Sequence, residues 1–374
     1  VASIGIVGAG YVADYYMRSF ETTPDIEVVG VWDIDPDRLS VFCTFWDVPA
    51  VNGMAELLAK APDLILNLTN PDSHYAVSLA CLESGVSVYS EKPLATRFDD
   101  ARHLHEVATR KGLMLASAPC SLLGETAQTV WKALREQAIG TPRLVYAEID
   151  DGFVPRAPYD QWRSESGAPW PAQDEFAVGC TLEHAGYYLT WLIAMFGSVK
   201  RVVSASADVL GLTLEDGSEA APTYASASLF FEGGVVARLT CSIVAPHDHS
   251  LRIFGDEGIL EVGECWSNDA PVRIRRRHVL RRRLLDSPVT RRVRLRGPTH
   301  PKVGRRGATA MNFALGPQEV LAARAEGRPC RLDADLALHL TEVTLAIQNA
   351  GDRAGGQVMT SRAPAMAPMP WAVG

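Results

Sequence analysis

No stretch of this chain approaches the roughly 18 uninterrupted apolar residues that a membrane span needs. No Cys-x-x-Cys pair occurs, and the seven cysteines (Cys43, Cys81, Cys120, Cys180, Cys241, Cys265 and Cys330) stand singly, without the close, even spacing of a disulfide framework or a zinc site. Reduced, mostly buried thiols are the expectation. His247 and His249 flank Asp248, but a polar loop after an apolar strand accounts for them, and no metal is expected. Repeats of fixed period and long low-complexity linkers are also missing, which sets aside solenoids and tethered modules. Val1 to Gly10 read as a buried strand entering a glycine turn, without the basic start and apolar middle of a signal peptide, so a cytoplasmic setting is expected.

What the chain does have is length and an uneven charge. Its 374 residues exceed one ordinary hydrophobic core and predict two domains, and 47% hydrophobic against 21% charged residues is a globular composition. The formal charge of −8 hides a strong asymmetry. Between Arg273 and Arg306 stand 14 basic residues against the single acid Asp286, so a chain otherwise at −21 carries a segment at +13. Such a segment calls for an anionic partner or an acidic neighbour. The acidic remainder and the lack of any DNA- or RNA-binding motif argue against nucleic acid.

The order of elements gives the fold. Apolar runs at residues 3–8, 26–32, 64–68, 86–89 and 113–118 alternate with segments of helical periodicity, which predicts a parallel sheet with helices on both faces. After about residue 122 the character changes. Two helices, over 125–137 and 182–196, are followed by strands at 199–207, 224–231, 235–243 and 251–262, with Glu232-Gly233-Gly234 and Asp256-Glu257-Gly258 as hairpin turns. The prediction is an α/β Rossmann domain over 1–121, then an α+β substrate-binding and oligomerisation domain over 122–374 with an open, mainly antiparallel sheet.

Gly8-Ala9-Gly10-Tyr11-Val12-Ala13 matches G-x-G-x-x-A between the first strand and the first helix. The first glycine makes the turn, the second lets backbone approach a pyrophosphate, and a small third residue packs helix on strand. Asp33, at the end of the second strand, would accept hydrogen bonds from the adenosine ribose and repel a 2′-phosphate, so NAD is expected and NADP less so. At the carboxyl edge of the third strand, Thr69, Pro71 and His74 are candidates for lining the cofactor's ribose and nicotinamide.

Together with Glu91-Lys92-Pro93, these motifs give a sequence that resembles the glucose-fructose oxidoreductase and inositol 2-dehydrogenase family, Gfo/Idh/MocA, over nearly the whole chain. The resemblance implies a nicotinamide cofactor, a sugar, sugar derivative or cyclitol as substrate, a homo-oligomer (dimer or tetramer), and a catalytic or hydroxyl-binding role for Lys92, with Glu91 at the cofactor. A lysine beside a cationic nicotinamide has its pKa lowered toward the range of a general base. The family's second signature is a helix carrying Asp and, four residues later, His. Here His184 and Tyr188 occupy those places, and their i, i+4 spacing puts both on one helical face, while Tyr187 and Trp191 read as packing. Tyr159, Trp162 and Arg163, just upstream, are candidates for stacking on a sugar face and binding its hydroxyls. Two other functions fit the same resemblance: an NAD-retaining, redox-assisted lyase or glycosidase, and a non-catalytic dinucleotide-binding sensor.

Overall fold

A computed structural model describes residues 1–304, 310–351 and 354–373. Arg305 and Arg306 of the basic run therefore lie outside the described residues. The first domain is a five-stranded parallel sheet in the order β2-β1-β3-β4-β5, formed by β1 (Ala2–Val7), β2 (Ile26–Trp32), β3 (Leu64–Asn67), β4 (Val88–Ser90) and β5 (Leu115–Ser117). Ile4, Ile6, Leu64, Ile65 and Leu66 are fully buried, as strands covered on both faces must be. Helices α1 (Tyr11–Phe20), α2 (Pro36–Trp46), α3 (Met54–Ala59), α4 (Pro71–Glu83) and α5 (Phe98–Lys111) supply that cover. Asp35 caps α2 through the Asp37 and Arg38 amides, and Asn70 caps α4 through the Ser73 amide, each with proline at the first helical position. Strand order reverses between β1 and β3, so the ligand-binding crevice opens where the loops after these two strands meet.

The helix α6 (Glu125–Arg135) leads into the second domain, a nine-stranded sheet. Its members are β6 (Pro142–Asp150), β7 (Val199–Ala207), β8 (Tyr224–Phe231), β9 (Val236–Ser242), β10 (Leu251–Gly255), β11 (Gly258–Val262), β12 (Val272–Leu280), β13 (Arg283–Val293) and β14 (Gln357–Val358). Every pairing is antiparallel except β6 with β9. Against one face lie α7 (Ala172–Val178) and α8 (Gly186–Phe196), the latter apolar almost all round and correspondingly buried. The last helices, α9 (Leu315–Glu326) and α10 (Ala334–Gln348), return to the first domain. Phe313 packs on Tyr16 with ring centroids 5.3 Å apart, and Ala337 joins the core formed by Val88, Leu104 and Leu115. One continuous core thus runs through both sheets.

The basic run forms the hairpin β12–β13, but it does not bury one face along its whole length. Val272 and Ile274 are buried, whereas Val279, Leu280, Leu284, Leu285 and Val289 are exposed at its distal half. The hairpin is the outer edge of the sheet, and among the described residues nothing covers the apolar side chains at its far end.

Candidate functional site

The glycine turn is built for close approach. Gly8 has φ +100°, and a Cβ there would stand 2.5 Å from the Leu68 carbonyl oxygen at the end of the β3 loop. At Gly10 a Cβ would meet nothing within 4 Å, and no side chain caps α1, so the helix N-terminus faces open space. Ala13 is fully buried where helix and strand touch, and Tyr11 and Val12 are partly exposed on the first turn. Asp33 accepts from the Ala9 amide at 2.6 Å and from the Asp35 amide at 2.8 Å. These residues fit a dinucleotide, with the pyrophosphate over the uncapped amides and the adenosine ribose at Asp33. Arg38, which no sequence motif marks, reaches the same turn and donates to the Ala9 carbonyl at 2.6 Å.

At the opposite end of the crevice, several expected cofactor contacts turn inward instead. His74 is buried, with Nδ1 2.7 Å from the Pro93 carbonyl and Nε2 3.0 Å from the Thr69 carbonyl, which ties the two strand-end loops together. Burial depresses its pKa despite those bonds. Thr69 donates to Asn67 at 2.7 Å, and Pro71 is the first residue of α4. Glu91 is buried and accepts from the Tyr16 hydroxyl at 2.6 Å and the Lys92 amide at 3.0 Å. These residues brace the loop from which Lys92 projects. The Lys92 ammonium crosses to the second domain and pairs with Glu183. Burial acts to lower the lysine pKa, but Glu183, with Glu175 beyond it, outweighs burial and holds it above its usual value. Glu183, which the sequence did not reveal, thus acts on the lysine in the direction opposite to a cationic nicotinamide.

Glu183 opens onto a cavity of about 210 Å³ in the second domain, lined by Asp151, Val154, Trp162, Trp170, Glu175, Phe176, Cys180, Glu183, His184, Ile243 and Trp266. A larger groove of about 510 Å³ runs along Gly297 to Lys302 and Glu125. Thr181–Ala185 form a π turn ahead of α8. One extra residue in a turn shifts the phase of the helix by roughly 100°, and such turns recur at functional sites. Here Glu183, not His184, meets Lys92. The Tyr187 hydroxyl, pushed up in pKa by burial, is pulled back by the Lys92 charge. His184 instead pairs with Asp151 at 2.6 Å. Burial alone would depress His184, yet Asp151 keeps it raised.

Tyr188 requires a correction. His184 and Tyr188 share a helical face, but that face looks toward the end of β6 and the loop before β10. Tyr188 is fully buried, its ring packs edge-on against Trp191, and its hydroxyl donates to the His249 carbonyl. It does not reach Lys92's side of the cavity. Arg163 also points away, being exposed and donating to the Asp160 and Trp162 carbonyls of its own loop at 2.8 Å. Trp162 does line the cavity, with Trp170 at 5.2 Å between centroids and Tyr159 behind, against Trp170 and Phe176.

Sequence reasoning missed Glu183, Glu175, Asp151, Trp170 and Trp266. It also read His247 and His249 as an ordinary loop. His249 is wholly buried between Asp151, 2.6 Å from Nε2, and Glu264, 3.0 Å from Nδ1. Burial opposes its charge, but these acids and Cys265 lift its pKa to about 12. Asp151 would be raised by burial, yet His184 and His249 hold it far below the carboxylate range.

Residues 2–118 match the family profile described as an oxidoreductase family with an NAD-binding Rossmann fold, and residues 127–261 match that of the Gfo/Idh/MocA C-terminal domain. The mouse trans-1,2-dihydrobenzene-1,2-diol dehydrogenase is 26% identical over 270 residues, 70% of this chain and 75% of that protein. The cattle enzyme of the same name is 27% identical over 269 residues, again 70% and 75%. Among solved structures, the fold matches a dehydrogenase from Bordetella pertussis in complex with NADH and UDP-GlcNAcA, with a TM-score of 0.70, 17% identity, and 97% and 98% of the two chains covered. It also matches a 3-ketoreductase from Actinomadura kijaniata in complex with NADP, with a TM-score of 0.70, 17% identity and 94% and 97% coverage.

Proposed function

Because the chain belongs to the Gfo/Idh/MocA family of oxidoreductases and is a dehydrogenase acting on CH–OH groups, we propose that it oxidises, reversibly, one hydroxyl of a small uncharged cyclic polyol with NAD. A sugar, a sugar derivative or a cyclitol meets that description. The observation that carries the reading is Glu183, paired with Lys92, at one side of a cavity that also carries the rings of Trp162, Trp170, Phe176 and Trp266. At about 210 Å³ the cavity falls below the ~300–1,000 Å³ common for larger ligands, which suits a single ring. Trp162, Trp170 and Phe176 suit the apolar face of that ring, while Glu175, Glu183 and Asp151 suit its hydroxyls and oppose a diphosphate. A vicinal diol on a carbon ring, the substrate in the mouse relative's name, meets the same walls.

A bound nicotinamide supplies the hydride acceptor. The chain's own residues handle the proton. The Lys92 ammonium, held charged by Glu183, is the acid that protonates a carbonyl oxygen in reduction. In oxidation the free amine of Lys92, left when its ammonium has lost a proton to solvent, takes the hydroxyl proton. A screen of sugars, cyclitols, ring diols and nucleotide sugars by NADH absorbance tests the assignment. Turnover confined to nucleotide sugars would overturn the small-ring reading.

A second reading has one specific support. Arg18 pairs with Glu165, while Arg38 and Asp14 bond Ser166, so a loop of the second domain clasps the glycine turn. A clasp of this kind suits an enzyme that keeps its dinucleotide and uses transient oxidation for elimination or glycoside cleavage. Consumption of a glycoside without net NADH would select it. The Lys92–Glu183 pair weighs against a non-catalytic sensor.

NAD(H) is expected to bind more tightly than NADP(H). Each Asp33 oxygen retains a second lone pair for a ribose hydroxyl, and Arg38, which could greet a 2′-phosphate, is engaged with Ala9 and Ser166. Asp33→Ala should weaken NAD by about 1.5–3 kcal/mol, the worth of hydrogen bonds to a charged group. Calorimetric titration showing a wild-type preference for NADP(H) would sink the claim.

The hairpin serves a homo-oligomer, dimer or tetramer, by docking on acidic surface of a second copy. Arg275 and Arg277 are already paired with Glu261 and Asp286 of their own chain, so the cations at the tip without an ion pair among the described residues, Arg281, Arg282 and Arg283, carry the contact. Changing these three to glutamate should lower the mass seen by light scattering and leave cofactor affinity intact. If mass holds and only KM for an anionic substrate rises, the hairpin belongs to substrate binding instead. The seven cysteines are all buried and unpaired, which supports a reducing, cytoplasmic setting.

A further inference from the structure

We propose that His249, Glu264 and Cys265 form a zinc site that fastens one wall of the cavity, with Asp151 behind the histidine and His247 nearest the fourth position. The inference goes beyond the dehydrogenase reading and does not rest on it, since it concerns how the wall is held rather than what the cavity turns over. One donor atom from each of the three residues lies within 4.8 Å of the other two. Imidazole nitrogen, thiol sulfur and carboxylate oxygen are together the donor set of zinc, whereas magnesium and calcium are held by oxygen alone. His249 and Cys265 are buried, and Glu264 is partly so.

The spacing separates ligands from supports. Two ligands of one tetrahedral zinc, at bonds of about 2.0–2.1 Å, stand about 3.3 Å apart. His249 Nδ1 lies 3.0 Å from Glu264 Oε1, close to that edge. Asp151 Oδ1 lies only 2.6 Å from His249 Nε2, the length of a hydrogen bond. Asp151 thus accepts the Nε2 proton and leaves the Nδ1 lone pair aimed at Glu264, as carboxylates do behind zinc-ligating histidines. A lone pair facing a carboxylate is repulsive until positive charge lies between the two. A second proton on His249 supplies that charge to one contact, whereas a divalent cation supplies it to Nδ1, Glu264 and the Cys265 sulfur at once. His247 Nε2 stands 3.3 Å from the other Glu264 oxygen, and this half-exposed side chain or a water fills the fourth position. Binding conserves charge and oxidation state: zinc displaces the Nδ1 proton of His249 and the Cys265 thiol proton, and both pass to solvent.

Three loops meet here at one end of three neighbouring strands. Asp151 follows the last residue of β6, His247 and His249 precede β10, and Glu264 and Cys265 follow β11. Trp266 comes directly after Cys265, stands edge-on to His249 with ring centroids 4.3 Å apart, and lines the cavity with Asp151. A zinc ion on its neighbours therefore holds the Trp266 ring in the cavity wall. Two of the ligands are also fixed from behind, His249 by the Tyr188 hydroxyl on its carbonyl and Glu264 by the Trp266 amide, which donates to Oε1 at 2.8 Å. The buried tyrosine and the histidine loop, neither of which contacts Lys92, thereby acquire a purpose.

The test uses the full chain, freed of metal by a chelator and titrated with zinc alone, so it needs no substrate. Calorimetry should give one equivalent, and repeating it in buffers of different ionisation enthalpy should show about two protons released at pH 7. The melting temperature should rise as zinc is added back. Cobalt(II) in place of zinc should show a thiolate-to-metal charge-transfer band that zinc displaces and that Cys265→Ser abolishes. The wild-type band and its displacement need no variant and decide the matter even where Cys265→Ser does not fold. Asp151→Asn should weaken zinc binding by about 10–100-fold, the effect of removing a carboxylate behind a ligating histidine. Zinc bound below one equivalent, or a cobalt spectrum without the band, would overturn the site. Equal zinc affinity in Cys265→Ser and wild type would overturn it too, leaving an adventitious ion only.

Discussion

Lys92→Ala is expected to lower kcat by about 10³-fold, within the ~10²–10⁴ that a positioned acid–base group contributes, while NAD affinity measured by calorimetry stays within about threefold. The separation of the two effects follows from the architecture. The dinucleotide's phosphates and adenosine fall to the glycine turn and Asp33, whereas Lys92 leaves its loop for the second domain and touches Glu183. Tyr188→Phe provides the contrast. Its hydroxyl serves the His249 carbonyl inside the core, so its loss should cost about 1 kcal/mol of stability and far less kcat than the lysine change. Equal turnover by Lys92→Ala and wild type would remove the lysine from the chemistry, and with it the main support for the dehydrogenase mechanism. A fall in NAD affinity parallel to kcat would instead make Lys92 a cofactor ligand.

Elements whose signals are local were readable in the chain. The glycine turn, the buried strands on either side of it and α1 follow from residues within one turn of each other, and β2, β7 and β8 end where their apolar runs end. The α4 start is marked locally, by Asn70 as its cap and Pro71 as its first residue. On the second domain's side of the site, Trp162 and His184 alone among the sequence candidates line the cavity. Lys92 and Glu183 are 91 positions apart, and His249 and Asp151 are 98 apart, so neither pair leaves a spacing in the sequence. The π turn added a second obstacle. An i, i+4 rule puts His184 and Tyr188 on one face, but it cannot say which way that face looks once an extra residue has rotated the helix. Polar signatures were also misleading where the fold satisfies them internally. His74 and Glu91 bond neighbouring loops, and Arg163 bonds its own carbonyls.

The Lys92–Glu183 pair makes a second, sharper prediction, because Glu183→Gln keeps the shape of the contact and deletes only its charge. In the wild type the carboxylate holds the lysine pKa above its usual value against the burial that lowers it. A group raised in this way stays protonated, and its pairing stays fully stabilising, below its unfolded pKa of about 10.4, with the benefit lost only as pH climbs through the higher folded value. Across neutral pH, carbonyl reduction, which needs the ammonium as acid, should therefore be insensitive to pH, and oxidation, which needs the free amine, should rise toward alkaline pH. With glutamine at 183, burial acts on the lysine without its main counterweight. Both limbs should then move to lower pH by about one unit or more, each unit corresponding to about 1.36 kcal/mol between the two protonation states. Oxidation below the wild-type limb should gain relative to wild type, and reduction should begin to fail at a pH where the wild type is unaffected. Profiles of kcat in both directions, measured on the two proteins with the same ring polyol, give the answer. Limbs that stay in place would show that Glu183 only positions the lysine, and limbs that move upward would show that another group carries the proton.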